Sequence, residues 1–129
     1  MTKIPEMRAI LQRLLGFDTT SSNPNMDLML YVQDLLAQHG IAAVLIPDAT
    51  GGKANLYASV GPEGQGGVML SGHTDVVPVL GQNWTVPPFA MTERDGRIYG
   101  RGATDMKGFV ACAIAALLRA ADQPLQVPL

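Results

Sequence analysis

Cysteine is nearly absent from the chain, with Cys112 the only one. A single thiol excludes an internal disulfide framework and fits a reducing compartment. Aromatic residues make up 5% of the chain, too few for a base-stacking platform. Charge is sparse too: 16% of residues are charged and the formal net charge is −2. That balance offers no basic face to nucleic acid and no attraction to an anionic membrane. The longest apolar run, near residues 109–118, falls well short of a membrane span. The opening Met-Thr-Lys-Ile-Pro-Glu lacks the basic stretch and apolar core of a signal peptide. A soluble, cytoplasmic protein is expected.

What is present is the makings of a core. Apolar residues are 47% of the 129, enough for one domain of ordinary size, roughly 100–150 residues. Ile4, Met7, Ile10, Leu11, Leu14 and Leu15 recur at helical spacing, which predicts a helix over 5–15, with Pro5 at its first position and Gly16 at its C-terminus. Residues 17–23 read as a polar loop. A second helix opens at Asn23-Pro24, with Asn23 as N-cap, and ends at Gly40; Leu28, Val32, Leu35 and Leu36 are its apolar face. His39, on its last turn, has no acidic or thiol neighbour and reads as a solvated histidine at the negative helix end.

Residues 41–46 and 55–60 are expected strands, and 67–70 a continuous apolar strand at the centre of a sheet. The glycines of 61–67 do not match a phosphate loop. Residues 91–99 read as a hairpin turning at Arg94-Asp95-Gly96-Arg97. A third helix from Met106 or Lys107 to Ala121 is apolar nearly all round, so it is expected to be buried against the sheet, with Cys112 a small buried residue. Residues 125–129 look like the approach to another strand. Helices alternating with short apolar strands give an α/β class: layered helices around a mixed, mostly parallel sheet. An unfinished sheet is expected to expose apolar edges that favour association.

The chemistry gathers in two segments. In Ser71-Gly72-His73-Thr74-Asp75 a histidine and an aspartate stand two apart, so on extended backbone they face the same way. Asp105 follows 30 residues after Asp75, in Gly100-Arg101-Gly102-Ala103-Thr104-Asp105-Met106-Lys107-Gly108. Imidazole and carboxylate without thiolate suit zinc, manganese or cobalt in an open catalytic site. A carboxylate beside a ligating histidine can take its other ring N–H and fix the tautomer. Asp105 could bridge two ions, or merely N-cap the third helix. A lone His-x-Asp is common in proteins and weak as a signal. For Arg101, a salt bridge to Asp95 or Glu93 is expected rather than contact with substrate.

Taken together, Ser71-Gly72-His73-Thr74-Asp75-Val76-Val77-Pro78, then Trp84, Pro88-Phe89, and Asp95-Gly96-Arg97-Ile98-Tyr99 running into the Gly100–Gly108 motif resemble the M20 family of zinc-dependent amidohydrolases and peptidases. Gly81-Gln82-Asn83-Trp84 and Thr92-Glu93-Arg94 tilt the likeness toward its N-acetyl amino acid deacetylases. The resemblance implies that His73 ligates one Zn2+, that Asp105 bridges two, and that Asp75 is the catalytic carboxylate orienting His73. Co2+ or Mn2+ would be possible substitutes. It implies a cis peptide at Asp105-Met106. It also implies a small N-acyl amino acid as substrate, N2-acetyl-L-ornithine in arginine biosynthesis, with a succinyl-diaminopimelate desuccinylase, an aminoacylase or a di-/carboxypeptidase as alternatives. From another class, a non-catalytic interaction fragment is the rival. By the same likeness, residues 1–129 are the N-terminal portion of the catalytic domain. The paired-glutamate base, the remaining ligands and a dimerisation or lid domain would lie elsewhere, and the parent would be a homodimer. The 129 residues alone are then expected to be inactive.

Overall fold

The computed structural model describes residues 3–64 and 66–129. Helix α1 spans Met7–Leu15 and turns Ile10, Leu11, Leu14 and Leu15 fully inward. It starts two residues after Pro5, because Glu6 is still extended. Helix α2, Met26–Ala37, buries Leu28, Met29, Val32, Leu35 and Leu36. Its N-cap position is held by Asn25 rather than Asn23. The reason is tertiary: the Asn25 amide pairs with both backbone groups of Ala54, at 3.1 and 2.9 Å, while the Asn23 N–H closes a turn on Thr20. Gly40 ends α2 as expected. At φ +74° it lets the Ile41 N–H return to the Leu36 carbonyl, and Ile41 is itself buried. The His39 ring sits half-buried at this end, with Nδ1 3.0 Å from the Leu35 carbonyl.

Strands β1, Ala43–Pro47, and β2, Ala54–Ala58, pair antiparallel with Ala43 opposite Ala58. β3, Thr92–Arg94, and β4, Arg97–Tyr99, form the expected hairpin. Its turn residues Asp95 and Gly96 both have positive φ, 54° and 70°, as a two-residue hairpin turn of this hand requires. The α/β class therefore holds, but the mostly parallel sheet does not form among the described residues. Both ladders are antiparallel, because short hairpin connections permit nothing else. Among the described residues, Thr20 and Val76 make an isolated parallel pairing.

Residues 67–70 are a second correction. They form no ladder, and Val68, Met69 and Leu70 are exposed. A ladder needs consecutive pairs, and here the Val68 N–H alone reaches the Pro128 carbonyl, while Leu129 exchanges two bonds with Val60. Helix α3, Gly108–Ala120, is the third. Ala111, Ile114, Ala115 and Leu118 form one buried face toward α1, so the core lies chiefly between helices. Cys112 and Phe109 point outward. An open apolar cleft of about 970 Å³ separates α2 and β2 from α3 and the 66–72 segment. No helix of the described residues is long and apolar enough to cross a membrane.

Candidate metal centre

The site is assembled by two loops that approach each other across the end of α1. Residues 19–21 lie alongside 74–76. The Val76 N–H donates to the Thr19 carbonyl, the Ser21 N–H donates to the Val76 carbonyl, and the Thr19 hydroxyl reaches the Thr74 carbonyl at 2.6 Å. Val76 is buried and anchors this pairing. His73 and Asp75 therefore project from a fixed backbone.

The second loop is a turn of π-helix, Ala103–Lys107, in which Asp105 and Met106 leave helical geometry and their shared peptide bond is cis, as the resemblance implied. Lys107 holds it down. Its side chain is fully buried, and its Nζ donates to the carbonyls of Leu14 and Phe17, both at 2.8 Å. A lysine thus caps the C-terminal end of α1, where carbonyls lack helical partners. Burial pushes its pKa down to about 8, against a smaller upward pull from Asp18. Nothing in the sequence announces this, because a lysine between two helices ordinarily faces water.

The loops meet at the imidazole. His73 Nε2 lies 3.0 Å from an Asp105 carboxylate oxygen, and Nδ1 lies 3.0 Å from the Asp75 carbonyl and 3.2 Å from its carboxylate. Asp105 does not cap α3: its carboxylate turns to His73, and the side chain is 84% exposed. His73, Asp75 and Asp105 thus converge. Ser21, Arg101 and Thr104 share with them a pocket of about 260 Å³. Arg101 forms no salt bridge with Asp95 or Glu93. Its backbone bond to Pro88 turns it over Trp84, 5.0 Å from the ring, and both side chains donate to Gln82, while Glu93 pairs with Arg8.

Ser21 is the residue the sequence reading missed. Its hydroxyl donates to the other Asp75 oxygen at 2.6 Å and holds that carboxyl below its ordinary value. At His73, partial desolvation lowers the pKa. Hydrogen bonds to the Asp75 carbonyl and the Asp105 carboxylate, with both negative charges, outweigh it and leave the imidazole above its usual 6.5. A raised folded-state pKa contributes stability below pH 6.5 that is lost as pH climbs through the raised value. In chelator-treated protein, an NMR titration should place the His73 midpoint above 6.5, and Asp105→Asn should lower it. A midpoint at or below 6.5 in the parent protein would show that the carboxylates do not govern the ring.

The donor chemistry suits a metal. Two ligands of one tetrahedral zinc, with bonds of about 2.1 Å, stand roughly 3.4 Å apart. The His73–Asp105 pair needs only a small spread to match. Among the described residues, no set of three or more His, Cys, Asp or Glu side chains is placed to hold an ion.

Residues 69–129 match the model of peptidase family M20/M25/M40. Acetylornithine deacetylase of Myxococcus xanthus is 43% identical over 131 residues, spanning 98% of this chain and 33% of the relative. The chain belongs to the M20 family. Acetylornithine deacetylase of Pasteurella multocida (strain Pm70) is 40% identical over 124 residues, covering 91% of this M20 chain and 32% of its own length. The crystal structure of human carnosine dipeptidase 1 superposes with a TM-score of 0.77 at 29% identity, over 95% of this chain and 30% of that one. The M20 chain thus spans about a third of the length of the relatives it matches. Enzymes of the family are generally metal-dependent.

Proposed function

We propose that this chain is the N-terminal portion of the catalytic domain of a zinc-dependent amidohydrolase that removes the acyl group of an N-acyl amino acid, with N2-acetyl-L-ornithine as the favoured substrate. Zn2+ is the metal, two ions per complete site, in a cytoplasmic homodimer. The observation that carries the reading is the convergence of His73 Nε2 and the Asp105 carboxylate at 3.0 Å. The identity of 43% and 40% to two acetylornithine deacetylases, against 29% to a dipeptidase, supports the deacetylase branch.

His73 presents its Nε2 lone pair as a ligand while Nδ1–H is held by Asp75. Asp105, 84% exposed, would hold metal through its carboxylate. When bound, the metal supplies an activated water and polarises the amide carbonyl. Asp75 keeps the proton on Nδ1, so that Nε2 stays a base toward the metal.

In the full-length polypeptide, His73→Ala is expected to cut zinc affinity by at least about 100-fold, beyond the effect of losing an outer partner, and to abolish hydrolysis of N2-acetyl-L-ornithine. Residues 1–129 alone, free of longer species, are expected to turn over nothing, since no third acidic, histidine or thiol donor joins the pair among the described residues. Unchanged zinc content and turnover in His73→Ala would sink the proposal.

A further inference from the structure

We propose that Ser21 is a positioning residue of the metal centre, acting on His73 through Asp75. The inference rests on the reading of His73 as a ligand. Asp75 has two carboxylate oxygens, and they are held from opposite sides. One lies 3.2 Å from His73 Nδ1, beside the Asp75 backbone carbonyl that takes the Nδ1 hydrogen bond at 3.0 Å, and the other accepts the Ser21 hydroxyl at 2.6 Å. A carboxylate without such a bond can rotate about its terminal torsion, which is broad and roughly two-fold. Held by Ser21 at one oxygen, it keeps the other as a fixed negative charge beside Nδ1.

The hydroxyl is itself fixed. The Ser21 N–H donates to the Val76 carbonyl at 3.1 Å, and the Ser21 carbonyl accepts from the Lys53 ammonium. The hydroxyl proton has a second acceptor within reach, the Val76 carbonyl at 3.4 Å. The shorter, charge-assisted bond to Asp75 wins. Residues 19–21 and 74–76 are therefore zipped together by backbone bonds, and Ser21 uses that frame to aim Asp75. The imidazole is left with Nδ1–H directed at Asp75, while Nε2–H donates to Asp105 and would give up its proton to present a lone pair to the metal.

Partners of this outer kind commonly carry a factor of 10–100 in metal affinity. Ser21 is exposed, so a water can partly replace its hydroxyl, and the lower end of that range is expected.

The experiment compares Ser21→Ala and Ser21→Thr with the parent in the full-length protein, reading zinc affinity by chelator competition, the His73 ring by imidazole 15N shifts, and the thermal midpoint. Ser21→Ala should weaken zinc binding about tenfold and shift the imidazole 15N resonances as the Asp75 charge moves, with the midpoint nearly unchanged. Ser21→Thr, which keeps a hydroxyl, should restore both. In an Asp75→Asn background, Ser21→Ala should cost nothing further. Zinc affinity of Ser21→Ala within twofold of the parent, or a loss that persists undiminished in Asp75→Asn, overturns the proposal. His73→Ala separates the two ideas. If it abolishes zinc binding while Ser21→Ala does not alter it, the positioning role alone fails. If His73→Ala leaves zinc binding intact, the metal-centre reading fails and takes this one with it.

Discussion

Lys107→Met is expected to abolish a rise in folding stability that the parent protein shows between about pH 8 and 10. The folded chain buries the Lys107 amine and lowers its pKa from an ordinary 10.5 to about 8, chiefly by desolvation. Below pH 8 both folded and unfolded states carry the proton, and the folded state bears the cost of an enclosed ammonium. Between 8 and 10.5 the folded amine is already neutral while the unfolded one is still charged. The unfolded state binds more protons there, so stability increases with pH. The full gain is about 3 kcal/mol, with a slope approaching about 1.4 kcal/mol per pH unit in mid-range. A neutral amine still has two N–H groups for the two carbonyls at 2.8 Å, so deprotonation need not break the cap on α1.

Methionine keeps the unbranched stem and loses both charge and donors. At pH 7 its effect on stability is a difference between opposing quantities: relief from a buried charge against two carbonyls left without a donor, at about 1–3 kcal/mol each. The slope is the clean readout. Urea denaturation at pH 7.5, 8.5 and 9.5 with a chelator present should show it in the parent and not in the variant. The range stops short of pH 10 because burial raises the Tyr31 phenol, which adds a slope of opposite sign once unfolded tyrosine ionises. Parallel pH profiles for the two proteins would refute the assignment.

This lysine also marks the boundary of what the sequence discloses. Helical periodicity alone places Ile10, Leu11, Leu14 and Leu15 in the core, and Asp95-Gly96 alone predicts the hairpin turn, because both depend on near neighbours. His73 and Asp75 are legible for the same reason, being two apart on extended backbone. Asp105 is legible as a carboxylate of the motif, and its turn toward His73 instead of α3 is a fact of tertiary placement. The features that escape are the ones whose partners are distant. Ser21 meets Asp75 across 54 positions, and Lys107 meets Leu14 across 93. Asn23 is the expected α2 cap, and Asn25 takes the position instead because its side chain pairs with Ala54, 29 positions away. Residues 67–70 carry the apolar pattern of a strand, but a ladder also needs a neighbour in register. Cys112 escapes because α3 is apolar around more of its circumference than the one face it buries.

Gly102→Ala is expected to destabilise the protein by about 2–5 kcal/mol and to weaken metal binding with it, since Gly102 packs against Val76 of the other loop. A Cβ at this position would lie 2.5 Å from Val76 Cγ1, and the backbone has φ +83°. The left-handed conformation costs a residue with a side chain about 1–2 kcal/mol. Overpacking of a fixed site adds about 1–3 kcal/mol. Val76 has little room to yield. It is 3% exposed and β-branched, and its N–H and carbonyl are both bound to residues 19–21. The strain must therefore separate the loops. His73 lies three residues before Val76 and Asp105 three after Gly102, so their 3.0 Å approach opens with it.

Val76→Ala removes the clashing methyl and supplies the control. In the parent background it should cost about 1–2 kcal/mol, at roughly 0.8 per buried methyl group. In the Gly102→Ala background it should be neutral or stabilising, recovering the overpacking share while the φ cost remains. The resulting coupling of about 1–3 kcal/mol falls in the range for residues in direct contact. Zinc affinity should return in the double variant along with stability. Strict additivity of the two substitutions would mean that the Gly102–Val76 contact does not set the distance between His73 and Asp105.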